Sequence, residues 1–411
     1  MKSISLRRIL PYLRMSMDRT YAAPVYLVLF VKGTCHAKCL HCFLPSLEDH
    51  QTASKELKPE EIEKLSRHLG PHIYSILLAG GEPFMRKDIG DILQILSTNA
   101  QLRAIKVVTN GFFTDRLVST WERILERNSN KYYGVTMSFD GLQQLHDYIR
   151  GVPEIFNKAV DSFKRLKRLS ERYPNFEVDV NVTVSHYNQD HLFPLYDYLR
   201  DSLQAGNVIC TVTRGVPRDT LAKDVRLESY VDFKDALEED LISGGLRGHD
   251  RFERSDILNA INVTQRNRIA RMLEKSKFIS PCNAGRLSGV IGSDGKVYAC
   301  ELLSDDLGDL RENDFDLMKV WNSPAARKLR EKIYKTNCFC TYENANLLNI
   351  LFTPRYYPQI LLKALSMKFA RRYARPRPVP KIVQASAAAP AILQSRVDRG
   401  KGRSLTHMIL K

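Results

Sequence analysis

Six short apolar runs alternate with amphipathic stretches between residues 25 and 213, and that alternation limits the folds open to this chain. The runs are Val25–Val31, Ile73–Ala79, Ala104–Thr109, Tyr133–Phe139, Phe176–Val184 and Val208–Thr213. Between them lie Pro59–Leu69, Ile89–Ser97, Asp115–Glu126, Phe156–Ser170 and Gln189–Arg200. In the first of these, Ile62, Leu65 and Leu69 recur at helical spacing. Strands separated by helices pair in parallel through right-handed crossovers. Six such units predict an α/β fold, either an open barrel or a doubly wound sheet. In both, the loops at the C-terminal ends of the strands carry the chemistry.

The rest of the chain changes character twice. Residues 214–280 are polar, with helices expected over Tyr230–Ile242 and Phe252–Lys277, and read as a bridge or lid. Residues 281–349 hold four cysteines, a Gly-Ser-Asp-Gly hairpin signal at 292–295 and a short helix around Phe315–Trp321. Beyond them Ile360–Met367 is amphipathic, and the Pro- and Ala-rich stretch from about 374 predicts disorder. This divides the chain into 1–24 (a basic N-terminal segment), 25–213, 214–280, 281–349 and 350–411 (a basic, partly disordered tail).

Charge is concentrated at the two ends. The formal net charge is +16. Residues 1–20 carry five Lys and Arg against one Asp, and residues 363–411 carry twelve against one, leaving the body close to neutral. A near-neutral body argues against nucleic acid as a partner. The basic, partly apolar ends suit peripheral contact with an anionic membrane surface, or simple solvation beside the folded body. No apolar run reaches the roughly 20 residues of a membrane span, and no secretory signal is read, so a cytoplasmic protein is expected. Eight cysteines in such a chain point to metal or redox chemistry rather than a disulfide framework.

Three of them follow the first apolar run as Cys35-x3-Cys39-x2-Cys42. Three thiolates can hold three irons of a cubane cluster and leave the fourth iron open, although a partial zinc site shares the spacing. After the second run stands Gly80-Gly81-Glu82-Pro83, after the third Thr109-Asn110-Gly111, and after the fourth Ser138-Phe139-Asp140-Gly141, then His146-Asp147-Tyr148-Ile149-Arg150-Gly151. Together these resemble the radical S-adenosylmethionine (SAM) superfamily, in which SAM chelates the open iron of a 4Fe–4S cluster. The resemblance implies a partial (β/α)6 barrel over residues 25–213. It also implies reductive cleavage of SAM to a 5′-deoxyadenosyl radical that abstracts a substrate hydrogen. By the same resemblance, Cys35, Cys39 and Cys42 hold the cluster, and Gly80, Gly81 and Glu82 take the SAM ammonium. Ser138 and Arg150 hold its carboxylate, Asp140 the ribose, and His41 lies near the adenine. Read alone, Asn110-Gly111 equally makes a simple turn. His146 is expected to pack locally and His36 to be exposed.

The second group is Cys282, Cys300, Cys338 and Cys340. It resembles the SPASM and twitch extensions of radical SAM enzymes, which bind auxiliary iron–sulfur clusters, and implies one auxiliary 4Fe–4S cluster in a small cysteine-rich domain over 281–349. Four cysteines also make a closed zinc site, and Glu301 or Glu343 are candidate non-cysteine ligands. Cys210 on the sixth run reads as a buried hydrophobe or a lumen residue. Arg214 and Arg218, at the end of that run, could grip an acidic group or form salt bridges.

The function expected is that of a radical SAM enzyme acting on a peptide or protein, supplied by an external flavodoxin- or ferredoxin-type one-electron donor. The alternatives are a small-molecule or glycan substrate, or a non-catalytic iron–sulfur carrier or zinc-binding adaptor. No side chain stands out as proton acceptor.

Overall fold

A computed structural model of the protein describes residues 6–44, 55–99, 101–251, 255–275, 277, 279 and 281–373. Six parallel strands follow the apolar runs closely: β1 (Tyr26–Lys32), β2 (Ser75–Gly80), β3 (Ala104–Thr109), β4 (Tyr132–Ser138), β5 (Phe176–Val184) and β6 (Val208–Val212). Each neighbours the next, in the order β6-β5-β4-β3-β2-β1. The sheet does not stop at β1. Its far edge pairs in parallel with β7 (Ser288–Ile291), and β8 (Lys296–Tyr298) and β9 (Asp306–Asp309) then add antiparallel. The expected hairpin at 292–295 joins β7 to β8. Gly295 supplies its positive φ of 91°, and Gly292 N–H donates to the Lys296 carbonyl at 2.7 Å.

Helices cover the outer face of the sheet for reasons visible in their sequences. Pro59–Arg67 begins with Pro at its first position, and Lys58 N–H donates to the Glu61 carboxylate at 2.9 Å. Its Ile62 and Leu65 are buried in one core cluster with Leu27, Leu29 and Val31 of β1. Thr114–Arg127 buries Leu117, Val118, Trp121, Ile124 and Leu125, a stripe at three- and four-residue spacing. The opposite face of the strands opens inward. Tyr26, Leu77, Lys106, Thr136, Asp179 and Thr211, one from each of β1 to β6, line a single cavity of about 830 Å³. The architecture is thus a partial barrel that does not close through hydrogen bonds. The helices Ser255–Lys275 and Glu343–Leu351 supply the missing wall with Ile261, Gln265 and Leu347.

The start of the expected tail is folded. Residues 350–373 complete the helix Glu343–Leu351 and form Tyr357–Tyr373, which buries Ile360, Ala364 and Met367 at i, i+4, i+7. That spacing lets it pack on Ser255–Lys275 and on Leu227–Ser243. The disorder expected from about 374 concerns residues outside those described. Among the described residues no helix is long and apolar enough to cross a membrane.

Candidate active site

The first cysteine loop is fastened on three sides. Lys38 N–H and Leu40 N–H donate to the carbonyls of Arg150 and Ile149, each at 2.9 Å, at the end of the helix Gln143–Arg150. Arg218 N–H and Asp219 N–H donate to the carbonyls of Cys42 (2.8 Å) and Leu40 (2.9 Å), tying the loop to the segment after β6. The third fastening is the Gly80-Gly81 pair. Gly81 N–H donates to the Lys32 carbonyl at 2.9 Å, and a Cβ on Gly81 would lie 1.9 Å from the Thr34 carbonyl oxygen. Gly80 has φ +112°, and its Cβ would meet the Lys32 carbonyl at 2.3 Å. Only glycine lets these two loops lie backbone to backbone.

Cys35, Cys39 and Cys42 open together on the cavity, close enough that the charges of Cys39 and Cys42 act on Cys35. Burial above all, with those neighbours, pushes the Cys35 thiol up to about 12. Such thiols stay protonated until a metal displaces the proton. Arg150 Nη1 lies 3.6 Å from Cys39 Sγ.

Glu82 is buried and its carboxylate is held from three directions. Phe84 N–H (3.0 Å) and the Thr109 hydroxyl (2.7 Å) donate to Oε1, and Asn110 N–H (2.8 Å) donates to Oε2. Burial still raises it above the usual carboxylate range, against these hydrogen bonds. Thr109-Asn110-Gly111 therefore holds Glu82, a role its Asn-Gly turn signal does not reveal. Ser138 and His41 also line the cavity. Burial, only partly opposed by Asp140, pushes His41 down to about 4, so its imidazole is neutral.

Asp140 is the exception among the expected SAM contacts. It is fully buried but does not line the cavity. One oxygen forms an ion pair with Arg150, the other accepts the Thr183 N–H at 2.9 Å, and its backbone N–H donates to His146 Nδ1 at 3.0 Å. Burial alone would raise this carboxyl; the charge of Arg150 leads the groups that hold it below its usual value. Its carboxylate thus braces Arg150. Arg150 itself keeps a buried Nε with no hydrogen-bond partner among the described residues. His146 packs between Phe139 and Phe156, as expected, whereas His36 is half-buried against Phe112 and Phe113.

The second cysteine group gathers at one place. Cys282, Cys338 and Cys340 line a small pocket, and Cys340 feels the charges of Cys282, Cys300 and Cys338. Ala284 N–H and Leu302 N–H each donate to a cysteine sulfur, Cys282 and Cys300, at 3.4 Å. Among the described residues no three such side chains are gathered closely enough to hold a single metal ion, while the N–H···S contacts are of the kind that a four-thiolate centre uses. Glu301 and Glu343 are turned elsewhere: both line the large cavity and hold Arg214, at 3.2 and 2.8 Å. Arg214 also lies 4.9 Å from the Phe43 ring centre and 4.8 Å from that of Tyr342. It therefore joins the residue after Cys42 to residues beside Cys300 and Cys340. Burial pushes Glu343 up to about 7 despite Arg214, and its Oε1 has no partner among the described residues.

The barrel floor holds a group that the apolar-run reading passes over. Lys106 lies 3.4 Å from Asp179 and 3.9 Å from Glu177, the Tyr132 hydroxyl donates to Glu177, and Asn207 Nδ2 donates to Asp179 at 3.1 Å. The signal was present as Glu177, Asp179, Asn181 and Thr183, polar residues at period two within a strand otherwise apolar. Cys210 lines the same lumen.

The family profile "Radical SAM superfamily" matches residues 30–199, and the "Iron-sulfur cluster-binding domain" SPASM matches residues 282–342. The chain is a radical SAM enzyme. Its cofactors are SAM and a SAM-binding 4Fe–4S cluster, with an auxiliary iron–sulfur cluster in the SPASM domain. It is 26% identical over 324 residues to the sporulation killing factor maturation protein SkfB of Bacillus subtilis (strain 168), spanning 77% of this chain and 69% of SkfB. It is 27% identical over 327 residues to the GTP 3′,8-cyclase of Aquifex aeolicus (strain VF5), spanning 75% and 92%. In fold it is similar to Streptococcus suis SuiB bound to S-adenosylmethionine, with a TM-score of 0.56 at 17% identity over 79% of this chain and 72% of SuiB. SuiB has also been solved with its precursor peptide SuiA.

Proposed function

We propose that this radical SAM enzyme modifies a peptide or protein substrate. One observation carries the reading. The first cysteine group opens on a large, partly polar lumen whose upper wall, Glu301, Tyr342 and Glu343, is built from residues beside the auxiliary cysteines. When bound, the cluster and SAM supply reductive C–S cleavage and hydrogen-atom abstraction. The chain's own residues fix where that happens. Cys35, Cys39 and Cys42 hold the cluster. The backbone of Gly80 and Gly81 and the Glu82 carboxylate, immobilised by Thr109 and Asn110, take the SAM ammonium. Ser138 and the free edge of Arg150 take its carboxylate, with Asp140 bracing Arg150, and neutral His41 lies against the adenine. Cys282, Cys300, Cys338 and Cys340 would hold the auxiliary cluster, which could accept the electron left on the product radical.

A nucleotide substrate is the second reading, since the cyclase is a relative. A triphosphate needs cations with free donors: Arg214 is already matched by two carboxylates, whereas Arg266, which also lines the lumen, keeps Nη1 without a hydrogen-bond partner among the described residues. The peptide reading agrees with SkfB, a maturation protein, and with SuiB, which binds the precursor peptide SuiA. An external one-electron donor of flavodoxin or ferredoxin type completes the system. Eight free thiols suit the reducing cytoplasm.

Anaerobic reconstitution with dithionite, SAM and peptides encoded beside the gene tests this. A mass change in one peptide, with stoichiometric 5′-deoxyadenosine, is the expected result. Formation of 5′-deoxyadenosine with consumption of a nucleotide or sugar, and no altered peptide, would overturn the peptide assignment.

A further inference from the structure

The helix Tyr357–Tyr373 has two apolar faces, and only one is used by the fold. Ile360, Ala364 and Met367 are buried against the helices Ser255–Lys275 and Leu227–Ser243. On the same side Lys363 pairs with Glu238, and Arg371 pairs with Asp256 at 3.6 Å and donates to the Leu241 carbonyl at 2.9 Å. The other side presents Leu361, Leu362 and Leu365, exposed at 53%, 68% and 65%. At about 100° per residue these three project within an arc of about 100°, roughly opposite the buried stripe. Exposed Lys368 flanks the arc. A helix that only packed on the body would carry polar residues there.

We propose that this face seats the enzyme on an anionic membrane surface, with the helix lying in the plane of the headgroups. Charge identifies the occupant. Residues 363–411 carry twelve Lys and Arg against one Asp. At its other end the helix meets the N-terminal helix Leu6–Met17, where the Ser16 and Tyr357 hydroxyls are 3.3 Å apart. That helix belongs to the second basic segment and exposes Leu13 and Met17. A second copy of this chain would bring two strongly basic ends together and be repelled. An apolar strip within a strongly basic stretch of sequence instead matches lipid headgroups, where neither a short apolar face nor a basic segment alone gives stable attachment and the two together do.

The test is co-sedimentation of the full-length, cluster-loaded protein with vesicles of phosphatidylcholine alone or with phosphatidylglycerol. Binding to the anionic vesicles is expected at about 0.1 M salt, and at least about a tenfold loss near 1 M, where the screening length falls from about 10 to about 3 Å. Leu361→Ser/Leu362→Ser/Leu365→Ser should lose about tenfold or more while iron content and circular dichroism stay unchanged. Because that variant touches a packed helix, Arg375→Glu/Arg377→Glu/Lys381→Glu provides a second measurement and should reduce binding to the anionic vesicles alone. Equal binding to both vesicle types, no binding at low salt, or full binding by the triple leucine variant overturns the proposal. So does a concentration-dependent dimer in analytical ultracentrifugation that the leucine variant abolishes, since the occupant is then a second copy.

Discussion

Asp140→Asn separates two roles for one carboxylate. If Asp140 gripped the SAM ribose, the variant would weaken SAM binding and leave the apo protein unchanged. The geometry predicts the reverse order of effects. Asn keeps an acceptor for the Thr183 N–H, so the change isolates the charge facing Arg150. Arg150 is buried, with the Cys39 sulfur as its other neighbour. A pair at contact distance is worth about 4 kcal/mol at an effective dielectric near 20. Removing one partner of a buried pair costs about 3–5 kcal/mol, because the other charge is stranded. Arg150 and Ile149 also accept the N–H groups of Lys38 and Leu40, so the cost falls on the first cysteine loop. Hydrogen exchange followed by mass spectrometry on the apo protein reads it locally, without assuming that 411 residues unfold in one step. Peptides covering residues 36–42 and 138–151 should exchange roughly 10²–10³ faster in Asp140→Asn than in the parent. Asp140→Asn/Arg150→Gln, which leaves no stranded charge, should recover most of the protection. Unchanged exchange in the single variant, with weakened SAM binding, would refute the bracing role.

Three further outcomes follow from the site. Gly81→Ala places a Cβ 1.9 Å from the Thr34 oxygen, so the cysteine loop must move. Reconstituted iron should fall from about eight to about four per chain, with loss of the SAM-responsive cluster signal in electron paramagnetic resonance. Cys340→Ala should lower iron by a similar amount but spare the first cluster, so 5′-deoxyadenosine still forms while product does not. Glu343→Gln tests the raised carboxyl. Its folded value of about 7 exceeds the ordinary 4.5, so the native state holds the extra proton between those values and loses stability as pH rises through them. That loss is about 3 kcal/mol. The Gln variant should therefore gain stability relative to the parent between pH 5 and pH 8 in thermal scans, and a parallel pH dependence in the two proteins would contradict the assignment.

The barrel was legible because its strands are buried on the helix-facing side and bounded by turn residues. The reading of Ala104–Thr109 and Phe176–Val184 matches β3 and β5 residue for residue. The pairing of β7 with β1 was not legible. Ser288–Ile291 is four residues long and contains a glycine, too short to show a period, and its register depends on a partner more than 250 residues away. The same limit explains the site. Glycine pairs and cysteine spacings act through the backbone near their own position, so Gly80, Gly81 and the three-cysteine loop can be read locally. The direction of a charged side chain is decided by whatever the fold brings opposite it. Arg214 reads equally as a gripping group or a salt-bridged one until Glu301 and Glu343, 87 and 129 residues further on, arrive to pair with it. Asp140 likewise gains partners that its position in the sequence does not announce, the Thr183 N–H on one oxygen and Arg150 on the other. Arg214 is engaged in joining the cysteine loops to the barrel, so selectivity among substrates falls more to the uncharged and partly satisfied groups of the lumen. These include Thr136, Asn181, Thr211, Arg266 Nη1 and the unpartnered oxygen of Glu343, and substitutions there should alter which substrate is accepted before they alter SAM cleavage.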